Sequence, residues 1–313
     1  MPRTGVLLAL LTTVVPGVLF GSSVTARQHS HAASVRFVCP MHAEVTASTP
    51  GTCTVCGMAL ERVDPDAAHG HRLEVTTAPA AVEAGRPFTI VLTVRAEGQR
   101  EPVSAFTVVH EKPFHLFVIS RDLEHYNHLH PSQDRTGAWV QELTLAQPGE
   151  YKVYADVLPK GGTPQVLQGS LEVKAPSGVQ GVSEAPARHP EPDGVLEQTI
   201  GGLRVRLSVP GGGLVAAGHQ PLTFHFADAR TGAAVQDIEP YLGAWGHTVM
   251  VSADTEHFVH AHPAEPLTAR FGGPQLTFHA APPEPGVYRM WTQIKRQGRV
   301  ETIVFTLPVK SDR

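Results

Sequence analysis

HLFVISRDLEHYNHLHP, residues 115–131, returns as HTVMVSADTEHFVHAHP, residues 247–263, without a gap. The two stretches share His115/His247, Ser120/Ser252, Asp122/Asp254, Glu124/Glu256, His125/His257, His128/His260, His130/His262 and Pro131/Pro263. Each opens as a strand (His115–Ser120, His247–Ser252), turns through a polar segment and re-emerges as an extended run. The likeness continues outward. Pro148-Gly149-Glu150-Tyr151 recurs as Pro285-Gly286-Val287-Tyr288 before a strand, and Ala84-Gly85 and Ala217-Gly218 each precede another. An internal repeat of about 100 residues with this many short strands is expected to form two immunoglobulin-like β-sandwiches. Residues 71–174 hold the first and residues 196–310 the second. Residues 175–195, rich in Pro, Gly, Ser and Glu, read as the linker. No amphipathic helix of useful length interrupts the pattern, so the fold class is mostly β.

The repeated histidines carry the chemistry. With the turn near Asp122-Leu123, His115 falls opposite about His130, where cross-strand side chains stand roughly 5 Å apart. His128 and His130 are two apart and share one face of a strand. His115, His128 and His130 are therefore expected to converge, and His247, His260 and His262 to do the same in the second repeat. Glu111 or His110 would be an extra ligand in the first copy, since the second has no histidine at the aligned position. His125 and His257 belong to the turns and are expected to face solvent. Asp122, Asp254, Ser120 and Ser252 are expected to build those turns. Nitrogen-rich sites favour Cu(II) over Zn(II) by intrinsic affinity, with geometry and supply deciding occupancy, so copper is the expected ion here and zinc the second choice. The competing reading makes these histidines hydrogen-bonding residues that fix the hairpins.

Upstream, Cys39-Pro40-Met41-His42 is followed by Cys53-Thr54-Val55-Cys56-Gly57-Met58. Each two-residue gap lets a tight turn aim two ligands at one point. Cys39, His42, Cys53 and Cys56 would then complete a tetrahedron around zinc or copper. A segment this small, residues 35–64, gains much of its stability from the metal. Met41 and Met58 offer soft thioethers suited to Cu(I); simple packing explains them equally well. The alternative for the cysteines is a Cys53–Cys56 disulfide that leaves Cys39 free.

FVCPMHAEVTASTPGTCTVCGMAL resembles the heavy-metal-binding domain found beside copper-exporting P-type ATPases and in periplasmic adaptors of heavy-metal efflux pumps. The resemblance runs from Phe37 to Val63 and implies a zinc-ribbon-like site at Cys39, His42, Cys53 and Cys56. Ala43 departs from the proline that usually follows CPMH, which touches the turn and no ligand. The rest of the chain has neither the helical hairpin of an efflux adaptor nor the spans of an ATPase, so the resemblance identifies a module only.

Composition sets the surroundings. Charged residues are 17% of the chain and the net charge is −4, which excludes a basic footprint for nucleic acid. Residues 1–26 carry Arg3, an apolar run and a small-residue end at Val24-Thr25-Ala26, and read as a secretory signal. A periplasmic or secreted location follows, with membrane attachment only through an uncleaved signal. All three cysteines lie within residues 39–56, unlike a disulfide framework. There is no G-x-S-x-G, H-E-x-x-H or phosphate-loop motif, so no catalytic residue and no enzyme is expected. The expected function is an exported binder of copper-like heavy metal, acting in buffering, delivery or resistance, with an efflux or delivery protein as partner class. Two alternatives stand beside it: a partner-binding sandwich protein with structural histidines, and a metal-dependent enzyme with Glu124 or Glu256 as base.

Overall fold

The computed structural model describes residues 1, 36–64, 67, 70–176, 190–263 and 265–312. Apart from Met1, the expected signal lies outside them, as does most of the 175–195 segment. The described residues contain no α-helix and a single short 3-10 turn, Pro210–Gly212.

Period-two alternation builds each sandwich. In Pro87–Ala96, Phe88, Ile90, Leu92 and Val94 are buried while most residues between them are half-exposed. In Leu203–Ser208, Leu203, Val205 and Leu207 point inward in the same way. The first sandwich sets a four-stranded sheet against a five-stranded one. The former runs His71–Ala78, Pro87–Ala96, Trp139–Thr144, Ser132–Gln133. The latter runs Val82–Glu83, Gln165–Lys174, Gly149–Val157, His115–Ser120, Tyr126–Leu129. The second sandwich repeats the plan, with Glu197–Ile200, Leu203–Ser208, Gln220–Asp228 and Gln275–Ala280 on one side. Facing them are Leu214–Val215, Arg299–Lys310, Gly286–Arg296, His247–Ser252 and Phe258–Ala261, with Ile238–Glu239 added beside Gly286–Arg296. Both copies start their second sheet with a two-residue strand parallel to the last one.

Two strands break the alternation. His115–Ser120 and His247–Ser252 are buried at every position. Their even-numbered apolar residues in the first copy, Leu116 and Val118, enter the first sandwich core. The opposite face carries Phe117 and Ile119, which join Val249, Val251, Tyr154 and Trp291 in a third apolar cluster. The two sandwiches therefore pack sheet to sheet, and that contact buries the second face of both strands.

The contact is reciprocal. Register aligns Tyr151 with Ser120 and Tyr288 with Ser252, so Lys152 corresponds to Arg289 and Tyr154 to Trp291. Lys152 pairs with Glu256 at 3.3 Å, and Arg289 with Glu124 at 3.4 Å. Tyr126 stacks on Trp291 and Phe258 on Tyr154, with ring centroids 4.9 and 4.8 Å apart. Each repeat gives its partner what it receives, the pattern of an isologous interface.

The Cys/His module forms a three-stranded antiparallel sheet, Thr46–Ala47, Arg36–Val38, Glu61–Val63. It touches both sandwiches. Asp64 N–H donates to the Gly161 carbonyl at 2.7 Å, and Glu44 meets His219 of the second repeat at 3.1 Å.

Candidate metal centres

In the module, two tight turns bring four ligands together. Met41 N–H and Val55 N–H donate to the Cys39 and Cys53 sulfurs, each at 3.4 Å. Gly57, at φ 74°, closes the second turn by donating its N–H to the Cys53 carbonyl. Cys39 Sγ lies 3.6 Å from both His42 Nδ1 and Cys56 Sγ, and Cys53 Sγ lies 3.6 Å from His42 Nδ1. Ligands about 2.3 Å (sulfur) and 2.0–2.1 Å (nitrogen) from one tetrahedral ion stand roughly 3.6–3.8 Å apart, so the four residues fit such an ion. All three cysteines are free thiols, and the Cys53–Cys56 disulfide is not formed. The hydrogen bond between Cys39 and Cys56, with burial, pushes the Cys39 thiol up to about 12 and lowers Cys56.

The second centre lies between the sandwiches. His115, like Phe117 and Ile119, points away from its own sandwich core, and His128 follows Tyr126 on that face. His247 and His260 do likewise in the second repeat. As a result the two sets of histidines meet. His115, His128 and His130 bring ligand atoms within 4.8 Å of one another, and so do His110, His247 and His262. His260 lies against both groups, with its ring 5.6 Å from those of His115 and His247.

Hydrogen bonds fix which nitrogen each ring offers. His115 Nε2 donates to the Val109 carbonyl, and His247 Nε2 to the Tyr241 carbonyl, both at 3.0 Å. A carbonyl can only accept, so each neutral ring keeps its Nδ1 lone pair free. His128 Nδ1 donates to Gln293 Oε1 at 2.8 Å, the Gln293 amide being oriented by its own donation to Thr302 Oγ1. His260 Nδ1 donates to Asp156 Oδ2 at 2.7 Å. His128 therefore presents an Nε2 lone pair, and His260 turns its Nε2 inward. His115 Nδ1 faces His128 Nε2 across 3.2 Å, and His247 Nδ1 faces His260 Nε2 across 3.4 Å. In the His115–His128 pair both N–H groups are already used, so no proton bridges those two neutral rings. Two nitrogens on one ion at about 2.0–2.1 Å stand roughly 2.9–3.4 Å apart. His262 Nε2 completes the second set at 2.8 Å from His247 Nδ1. His110 Nε2 and His130 Nε2 are buried without a hydrogen-bond partner.

The surroundings keep six of these rings neutral. Burial, followed by the charge of nearby histidines, lowers His110 and His130 to about 3 and His115 to about 4. The same causes put His128, His247 and His262 well below the ordinary imidazole value. Burial would raise the Asp156 carboxyl, but its bond to His260 and the histidine charges outweigh that and lower it. Neutral imidazole is the form that binds metal. A carboxylate behind a ligating histidine also orients the ring and raises its basicity.

Comparison with known proteins agrees with this division of the chain. A family model described as domain of unknown function (DUF8832) matches residues 67–175 and again residues 198–311. The chain belongs to the DUF8832 family. A second model, the heavy metal binding domain, matches residues 36–63, so the module is a heavy-metal-binding domain, as its motif implied. None of the curated proteins compared with the chain matches it. Among solved structures, the Escherichia coli adhesin FdeC aligns at 17% identity and TM-score 0.25, over 81% of this chain and 69% of its own. The Yersinia pseudotuberculosis adhesin InvE aligns at 14% and 0.22, over 75% of this chain and 58% of its own. Fibronectin(III)-like modules of Clostridium thermocellum CbhA align at 14% and 0.20, over 76% of this chain and 94% of their own. Scores of that size carry no weight for function.

Within the DUF8832 repeats, all six expected histidines meet: His115, His128 and His130 form the expected first triad, while the second set is His110, His247 and His262 with His260 beside both. All of them share one chamber. The sequence placed His110 as an extra ligand of the first repeat, whereas it serves the second: its ring stacks on His262 with centroids 3.6 Å apart. His125 and His257 are half-buried rather than solvent-facing. Glu111 is exposed and enters no ligand group among the described residues. The Ser/Asp pairs do build the turns: Ser120 Oγ donates to Asp122 Oδ1 at 2.5 Å, and Ser252 to Asp254 in the same way. Asp156, Gln293 and His219 were not foreseen. His219 approaches His42 with ring centroids 5.8 Å apart. No local motif marks any of the three; strand register and packing place them.

Proposed function

We propose that this chain is an exported heavy-metal-binding protein that buffers or delivers a copper-like ion, with the inter-repeat chamber as its main store. One observation carries the reading: His115 and His128, two neutral imidazoles whose N–H groups are bound elsewhere, point lone pairs at each other across 3.2 Å. Such an arrangement is repulsive when empty and strongly favourable around a cation. A purely structural role would need a proton between His115 and His128, and the Val109 and Gln293 acceptors hold those protons on the outer side. An all-imidazole site suits copper, with zinc second, and the thiolate module suits either. A catalytic role has less support, since Glu124 and Glu256 engage Arg289 and Lys152.

Metal content of the full chain, measured by plasma mass spectrometry after copper loading and desalting, tests the reading. His128→Ala/His130→Ala and His260→Ala/His262→Ala are each expected to lose about one ion while the thiolate module keeps its own. Unchanged content in both variants would refute it.

A further inference from the structure

The two metal centres are neighbours. A cavity of about 110 Å³ has Cys56, Met41 and Met58 of the module on one side and His110, His260 and His262 on the other. A smaller one carries Met41 round to His115, Asp156 and His260. The module thus lies over the mouth of the chamber, and both its methionines line the space between. Contacts with both repeats hold it there, through Asp64 on Gly161 and Glu44 on His219. On the chamber side, the buried His110 Nε2 has no hydrogen-bond partner.

Two explanations of Met41 and Met58 were open in the sequence, packing or soft ligation, and the structure places both beside the gap. Thioethers bind soft Cu(I) weakly and reversibly and have little affinity for hard ions. Weak ligands between two strong sets are what a moving ion needs, because they shorten each exchange without trapping it. We propose that the module loads the chamber: Cu(I) held by the Cys39 and Cys56 thiolates passes across the Met41 and Met58 sulfurs to His110, His260 and His262. No electron moves. Each step replaces a copper–sulfur bond by another copper–sulfur or copper–nitrogen bond. The thiolates left behind take up protons from solvent, and any proton displaced from an imidazole returns to it. The inference rests on the metal-binding reading of the chamber and adds a route and an oxidation state.

The test uses the full chain, charged anaerobically with one equivalent of Cu(I) and freeze-quenched over time. X-ray absorption then follows the change from sulfur to nitrogen neighbours. The native chain is expected to make this change at a rate independent of protein concentration. Met41→Leu/Met58→Leu, which keeps side-chain volume, is expected to slow it about tenfold with the final state unchanged. An unaltered rate in that variant overturns the route, and so does a rate that rises with protein concentration. A spectrum that stays sulfur-dominated also overturns it, provided Cys39→Ser/Cys53→Ser/Cys56→Ser takes Cu(I) into the chamber directly. If that triple variant takes up no Cu(I), the chamber reading itself fails, and the route with it.

Discussion

His128 and His260 hold the same place in the two repeats, yet the groups behind them differ. His128 leans on the neutral amide of Gln293, His260 on the carboxylate of Asp156. In both cases the supporting residue comes from the other repeat, at the register position opposite His115 or His247. The first repeat also lends His110 to the second, whereas the second has Leu242 at the corresponding position. The backbone plan is duplicated and the electrostatics are not. A cation near His247 meets one more imidazole and a negative charge behind its ligand, so the second half of the chamber should bind first and hold tighter.

Three experiments would break or sharpen that contrast. The largest effect is expected from Asp156→Asn, which keeps an acceptor for His260 Nδ1 but removes the charge. Copper affinity of the second set should fall about 10–100-fold in chelator competition, with the first set unaffected. Equal losses at both would mean that the chamber acts as one undivided site. The converse change, Gln293→Glu, should narrow the gap. Next comes His110→Ala, expected to weaken only the second set, by about tenfold at most because three imidazoles remain. A loss at the first set instead would contradict the crossed placement of His110.

A separate effect, on stability, follows from protonation. His115 has its folded pKa near 4, and His110 and His130 near 3, below the ordinary unfolded value of 6.5. Below about pH 6.5 the unfolded chain binds more protons than the folded one, so stability falls as pH drops towards those folded values. Above that range these groups contribute no slope. Urea midpoints of the metal-free chain should decline from about pH 6.5 towards 4. The copper-loaded chain should fall more steeply at the acid end, where protons compete for the ligands. A flat metal-free profile would show that the imidazoles are better hydrated than their burial implies.

Much of this was legible in the residues. The gapless repeat gave two sandwiches, and the C-x2-H and C-x2-C spacings gave the module. The i, i+2 spacing of His128 and His130 put them on one face. What could not be read locally was the meeting of the two repeats. A signal for it exists: HLFVIS and HTVMVS are apolar at both parities, which a strand exposed on one face would not be. Asp156 and Gln293 are invisible to motif reasoning because only strand register sets them beside histidines distant in sequence. His110 was credited to the wrong partner because it sits on a tight loop, where His110 and Glu111 both have positive φ, at 48° and 65°. Strand periodicity says nothing about such a position.

The reciprocal pairs across the sandwich contact have an evolutionary consequence. A lone repeat would leave Phe117 and Ile119, or Val249 and Val251, bare to water. An ancestor with a single copy would have covered them with a second identical molecule, setting its histidines face to face about a twofold axis. Under that symmetry any change to a residue is made twice. With both repeats on one chain, each can change alone, and a carboxylate can face an amide across the pseudo-twofold axis.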